Sequence, residues 1–334
     1  MNQRNIIIDI TKAFLIILVV IGHCIQFGSG PMYLSNKMFF DNPLFKFIYS
    51  FHMPAFMLIS GYLFALNKKN DVIYVIKKKI KHLLIPIFAW TILDTIYYIL
   101  HNGFDLWSIK IYLSQCIHAL WFLWALFYCS TIFILVKRFL RDNIYIHILL
   151  IIISFAIPDN LNLNLYKFVY PFFLLGYYSH NVKDKIKTYF NHKFILLTST
   201  ILFILLLLLY NYDSYIYTTG HTITSYYMLY IDIYRYTIGI IGSCCMFMWI
   251  YHFRGILKFL PSLSYIGKKT MGIYIISGFL CYYILPRLAH KTNIHSFNLA
   301  ILAIESTSII IASLITVHFI ERFPSLKKYL LGYS

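Results

Sequence analysis

Three side chains near the start of this chain, Lys12, His23 and His52, could do acid–base chemistry. Lys12 and His23 are separated by eleven positions. At about 100° per residue that spacing amounts to three turns plus roughly 20°, so on a helix both face one way, about 16 Å apart along the axis. Asp9, three residues before Lys12, falls on nearly the same face and could be its counter-ion. His52 follows in the segment Phe51-His52-Met53-Pro54. Imidazole titrates near working pH, so a pair of histidines can take a proton from a hydroxyl and hand it on. Taken singly, Lys12 could be a lysine snorkelling to headgroups and His23 a packing histidine. Two imidazoles at one depth on adjacent helices are harder to explain as packing, because an ionisable group at bilayer depth costs at least ~2.5 kcal/mol.

The elements that would position these groups are membrane helices. Of the 334 residues, 60% are hydrophobic and only 12% charged, and the mean hydropathy is +0.70. Soluble domains run near a quarter charged. The expected fold is all-α and polytopic, with about ten transmembrane helices and residues 1–334 forming a single membrane domain. Apolar runs predict spans near 10–27, 44–66, 83–100, 120–136, 144–158, 166–180, 194–211, 227–250, 270–287 and 297–320. The fifth and sixth are short and could be tilted, re-entrant or wrongly divided. The N-terminal run lacks the pattern of a cleaved leader and reads as an uncleaved first span.

The formal net charge is +17, and its distribution explains it. One set of connections carries Arg4; Lys68, Lys69, Lys77, Lys78, Lys79 and Lys81; Lys137, Arg138 and Arg141; Lys183, Lys185, Lys187 and Lys193; Arg254, Lys258, Lys268 and Lys269; and Arg322, Lys327 and Lys328. The alternate connections carry only Lys37, Lys110, Arg287 and Lys291. Basic loops stay cytoplasmic, so both termini are expected in the cytoplasm, with the lysines against anionic lipid. Nucleic acid is not needed to account for the charge. Six cysteines show no CxxC pair, so neither a metal site nor a disulfide framework is expected.

Further polar residues fall within the spans. Asp232 and Arg235 are three apart and could neutralise one another. Glu305, followed by Ser306, could line a cavity or pair with Arg235. Asp94 is a similar case, and Trp121 and Trp124 with His118 fall near the outer interface, where tryptophans usually anchor. The run from Tyr210 to Tyr217 fits an aromatic belt at that interface, with sugar stacking as the alternative.

The chain resembles the acyltransferase 3 family of membrane proteins, which modify cell-surface glycans and other acceptors. The resemblance covers essentially the whole chain. It is carried by Asp9-Ile10-Thr11-Lys12 with Gly22-His23, by Phe51-His52-Met53-Pro54 to Ser60-Gly61-Tyr62, by Trp121-Phe122-Leu123 with Ala125-Leu126, and by Gly267-Lys268-Lys269-Thr270-Met271-Gly272-Ile273-Tyr274. Weaker matches are Lys78-Lys79 to Leu84-Ile85-Pro86, Phe173-Leu174-Leu175-Gly176-Tyr177 and Glu321-Arg322-Phe323-Pro324. Two departures stand out. Lys12 occupies a position where many members carry Arg, and Ile275-Ile276-Ser277 follows Tyr274 where members often show a histidine.

The resemblance implies transfer of an acyl group, usually acetyl from acetyl-CoA, to a hydroxyl of an outward-facing saccharide or lipid-linked saccharide at a bacterial cytoplasmic (inner) membrane. Acetyl-CoA would be a donor substrate, with no permanently bound cofactor. On that reading His23 is the general base or an acyl carrier, and His52 orients the acceptor or stabilises the oxyanion. Lys12, Lys78, Lys79 and Lys81 would hold the donor's phosphates, with Asp9, Trp121, Arg235 and Glu305 in support. Two alternatives remain at this point: succinyl in place of acetyl, and a transporter or flippase of a lipid-linked saccharide that uses the buried polar set as a proton relay. A non-catalytic scaffold leaves that set unexplained.

Overall fold

The computed structural model describes residues 5–30, 34–67, 71–292 and 298–332. Arg4, Lys68 and Lys69 of the basic loops lie outside these residues, as does the side chain of Lys291. The described residues are helical, with no strand. The chain runs through α1 (Ile6–Gly28), α2 (Pro43–Ala65), α3 (Val72–Asn102), α4 (Leu106–His118), α5 (Trp121–Phe139), α6 (Ile144–Ser154), α7 (Leu163–Ser179), α8 (Lys183–Phe190) and α9 (Lys193–Leu208). It continues through α10 (Ile216–Thr219), α11 (Tyr226–His252), α12 (Arg254–Leu257), α13 (Pro261–Lys268), α14 (Thr270–Tyr283), α15 (Leu285–Thr292), α16 (Leu299–Glu321) and α17 (Pro324–Leu330).

A helix occupies each of the ten expected positions. Among the described residues seven are long and apolar enough to cross a bilayer: α1, α2, α3, α5, α11, α14 continued to Leu288, and α16. The other three are the fifth and sixth, expected to be short, and the seventh, for which no such doubt was expected. The helix α6 has only 11 residues, about 16 Å of rise against a hydrocarbon core of about 30 Å. The α7–α8 segment and α9 qualify only together and are bent by 96° at their junction.

Local sequence sets the helix ends. The Asn5 side chain accepts from the Ile7 N–H at 3.0 Å and opens α1, Asp71 does the same for α3, and Asp105 with Ser108 forms a reciprocal capping box on α4. Gly103 closes α3 at a φ of 83°. Within α3, residues Ile80–Leu84 form a π-helical turn; such turns shift the register of the residues that follow and often sit at functional positions.

Packing divides the chain into two compact units. The first comprises Met1–Ile59, Asn181–Thr218 and Ile231–Phe319; the second comprises Ser60–His180, Thr219–Tyr230 and Ile320–Ser334. In the first, α1 packs along α13 and α14, burying Ile10, Ala13, Leu15 and Val20. In the second, α5 packs on α7, and α17 docks on α3, where the Trp90 indole donates to the Leu330 carbonyl at 2.9 Å. Lipid tails are as apolar as leucine, so close approach at small residues does much of the work of helix association. A Cβ on Gly61 would run into the Phe173 carbonyl, and one on Gly267 into the Asp9 carbonyl. Each of these contacts joins two of the sequence stretches that carry the family resemblance.

Candidate active site

The first unit brings Lys12, His23 and His52 onto packed helices. Helix α1 is unbroken from Ile6 to Gly28, so Lys12 and His23 share one face, as their spacing predicts. The Lys12 ammonium is 3.0 Å from Asp9 Oδ1, and the expected ion pair is present. Next to it, the Gly267 backbone lies against the Asp9 backbone. That contact brings Lys268, which is exposed, and Lys269, whose ammonium is 5.7 Å from the Tyr265 ring, to the same end of α1. The sequence places these two lysines in a basic loop and in a stretch of the family resemblance, but gives them no position beside Lys12.

At the other end of α1, a Cβ on Gly22 would lie 2.9 Å from the Tyr49 ring and 3.7 Å from Ile48. Gly22 therefore stands against the turn of α2 that precedes His52. The turn of α1 that carries His23 thus lies against the turn of α2 that leads into His52. His52 is buried, and its Nδ1 is 2.7 Å from the Ile48 carbonyl oxygen. A carbonyl can only accept, so Nδ1 carries the proton and the lone pair is on Nε2. Helix α2 continues through Pro54 to Ala65, and the carbonyl that engages His52 is that of Ile48, one turn before His52 on the same helix.

The His23 ring meets Phe27 edge-on at 6.2 Å, and its buried Nδ1 has no hydrogen-bond partner among the described residues. Leaving a buried polar atom unbonded costs about 1–3 kcal/mol; His23 Nδ1 shares that condition with atoms such as Thr131 Oγ1 and Ser313 Oγ, and among these three the imidazole is the group able to take a proton near working pH. The opposite face of α1 is different. Phe14 and Leu18, with Phe51, Phe203 and Trp249, line a cavity of about 580 Å³ that is wholly apolar and offers nothing to proton chemistry.

Arg235 is a clamp. Its Nη1 donates to Asp232 Oδ1 at 2.9 Å, Nε to the Ser214 carbonyl at 3.0 Å, and Nη2 to the carbonyls of Asp213 at 2.8 Å and Tyr215 at 2.9 Å. The neutralisation expected for Asp232 and Arg235 is present, and the guanidinium fork also fixes the 210–217 loop. Tyr210 and Tyr215 of that loop are buried, and Tyr215 donates to the Phe40 carbonyl at 2.9 Å. These two side chains pack inward and do not form a belt against lipid. The Tyr217 ring meets Tyr49 at 6.2 Å, and Tyr49 meets His52 at 4.8 Å. The signal for Tyr49 was its place three residues before His52, on the same helix face. Glu305 lies within electrostatic reach of Cys281.

Four of the predicted site residues belong to the second unit. Lys78 and Lys81 are exposed on α3 at the π-helical turn, and Lys79 lies 5.4 Å over the Phe64 ring. Trp121 opens α5 and meets Phe122 edge-on at 6.0 Å. That unit also holds an ion pair not anticipated from sequence. Lys167 Nζ is 2.6 Å from Asp159 Oδ1, while Asp159 Oδ2 accepts from the backbone N–H of His221 at 2.6 Å and of Thr222 at 2.9 Å. Burial raises the Asp159 carboxyl, but the Lys167 ammonium and the two N–H groups outweigh it and hold the group below its ordinary value. This cluster ties two loops together. Among the described residues no group of His, Cys, Asp and Glu could hold a metal ion.

The description of the acyltransferase 3 family, an acyltransferase domain, matches residues 5–318. Among curated proteins the chain is similar to the nodulation protein NolL of Sinorhizobium fredii, 31% identical over 207 residues, or 59% of this chain and 55% of that protein. The nodulation protein NolL of Mesorhizobium japonicum is 33% identical over 184 residues, 53% of this chain and 48% of that protein. The chain thus spans about half the length of the curated relatives it matches. No solved structure matches it.

Proposed function

The chain belongs to the acyltransferase 3 family, and from that premise we propose that it is a membrane O-acyltransferase carrying an acetyl group from acetyl-CoA to a hydroxyl of a cell-surface or lipid-linked saccharide. The observation that carries the reading is the first helix, with a cation at one end and an open imidazole nitrogen at the other. On the topology expected from the basic loops, Lys12 faces the cytoplasm, where acyl-CoA is made, and His23 faces the outer side, where a surface glycan is reached. The site is that of a bacterial cytoplasmic membrane.

Lys12 takes a phosphate of the donor, and the pantetheine arm extends along α1 over a length comparable to the ~16 Å between Lys12 and His23. Lys268 and Lys269 adjoin the same end of α1 and add positive charge there; Lys78, Lys79 and Lys81 serve the donor's approach. His23 accepts the proton of the acceptor hydroxyl as its oxygen attacks the thioester carbonyl. The C–S bond then breaks, and the proton passes to the leaving CoA thiolate. His52, with its tautomer fixed by the Ile48 carbonyl, orients the acceptor hydroxyl through Nε2. Arg235 and Glu305 act at a distance, by holding loops and helices in register.

Deleting the gene and measuring O-acyl groups on surface polysaccharides by NMR tests the reading. Loss of one class of O-acetyl ester is expected. An unchanged ester content in the deletion strain contradicts it, and movement of a lipid-linked saccharide across vesicles without acyl-CoA would favour transport instead.

A further inference from the structure

The 210–217 loop is built more rigidly than a connection between helices requires. Arg235 draws three consecutive carbonyls onto one guanidinium. Asn211 and Ser214 cap each other, and Tyr215 is tied to the Phe40 carbonyl. Fixing a loop in this way costs conformational entropy, which a free linker would keep. The fixed backbone holds Tyr217 in an uncommon position. Its ring packs edge-on against Tyr49, yet 44% of the residue remains exposed.

A belt tyrosine sits on the outer flank of a helix, with its ring in lipid and its hydroxyl at the headgroups. Tyr217 instead rests on the residue that walls His52 and keeps part of its surface open. A partly exposed phenol ring matches a sugar ring, which offers axial C–H groups on one face to an aromatic surface and hydroxyls around its edge. We infer that Tyr217, backed by Tyr49, is the platform on which a pyranoside ring of the acceptor stacks so that one of its hydroxyls reaches His23 and His52. The inference rests on the acyl-transfer reading and deepens it, by making Tyr217 a positioning residue for the saccharide.

The test uses the purified chain in proteoliposomes with labelled acetyl-CoA, and surface polysaccharide from the gene-deletion strain as acceptor. Tyr217→Leu keeps an apolar side chain without the ring, whereas Tyr217→Phe and Tyr217→Trp keep a ring. Stacking predicts that Tyr217→Leu raises the KM for polysaccharide about tenfold, with kcat and the KM for acetyl-CoA within about twofold. The Phe and Trp variants should stay within about threefold of wild type on all three. A polysaccharide KM for Tyr217→Leu equal to that of Tyr217→Phe overturns the platform. So does a Leu variant whose loss falls on kcat or on the donor KM. If the wild-type protein puts no label on the polysaccharide, the acyl-transfer reading itself fails and the platform falls with it, an outcome seen without any variant.

Discussion

Two buried polar regions of the first unit treat their charges in opposite ways. At Asp232 and Arg235 the guanidinium is engaged by one carboxylate and three backbone carbonyls within 3.0 Å. At His23 and His52, by contrast, one ring nitrogen is bonded to a carbonyl and a buried nitrogen of the other ring has no bond among the described residues. Both regions take polar groups out of water, which is costly unless hydrogen bonds compensate. In the first the guanidinium is compensated within the protein and reads as architecture. The second leaves acceptor capacity open, as a group that must exchange a proton requires. Charge in a membrane helix is therefore informative only together with its partners.

The contrast can be broken first at Arg235. Removing one member of a buried pair leaves the other charge uncompensated, at a cost of about 3–5 kcal/mol. Arg235→Ala should therefore lower the unfolding temperature sharply or abolish membrane accumulation, and Arg235→Lys should recover only part of the loss, because an ammonium lacks the fork. A stable, fully accumulated Arg235→Ala protein would show that the clamp is dispensable. His52→Ala should do the reverse. Loss of a residue that orients the acceptor lowers kcat by about 10²-fold or more, while the unfolding temperature moves little because the imidazole's bond is to its own helix. A large thermal shift with normal turnover of the folded fraction would move His52 to the architectural side.

Lys12 lies between the two regions, being paired with Asp9 and proposed as a donor contact. Lys12→Ala should raise the KM for acetyl-CoA about tenfold, in line with the loss of one charge-assisted hydrogen bond, and Lys12→Arg should restore it. Steady-state kinetics that show an unchanged donor KM would confine Lys12 to its ion pair. The smallest effect is expected at Asp159, in the second unit. Its folded pKa is depressed, so its stabilising contribution is present above the unfolded value of about 3.9 and is lost as pH falls through the depressed folded value. The stability difference between wild type and Asp159→Asn should therefore persist from about pH 5 to 7 and shrink in more acid solution. Chemical unfolding at several pH values measures it, and a difference that grows on acidification would contradict the assignment.

Much of this architecture was legible in the sequence, because bilayer thickness imposes one length scale on every span. Ten apolar runs predict ten transmembrane helices; among the described residues seven helices qualify as spans on their own, and two of the three positions that do not are the short fifth and sixth runs. The reach from Lys12 to His23 followed from helical periodicity alone. Hydropathy could not reveal how the pieces pack. The 96° bend before Lys193 and the π-helical turn at Ile80–Leu84 depend on tertiary contacts rather than on composition. Lys167 gave no sign of its partners, because Asp159 and the amides of His221 and Thr222 come from loops some sixty residues apart in the chain and only the fold brings them together. The tyrosines from Tyr210 to Tyr217 were mistaken in part for a lipid belt for the same reason: a run of amphipathic rings looks alike whether it faces lipid or folds over a site. Gly61 and Gly267 gave a usable signal, since each lies in a stretch carrying the family resemblance and each marks a close backbone approach.

The most direct measurement follows labelled acetyl from acetyl-CoA onto surface polysaccharide of the gene-deletion strain, with wild-type and His23→Ala proteins purified into proteoliposomes. General base catalysis at His23 predicts ester-linked label with the wild type and a rate lower by about 10²- to 10⁴-fold with His23→Ala, at equal unfolding temperature. A His23→Ala protein that transfers acetyl at the wild-type rate would contradict the account.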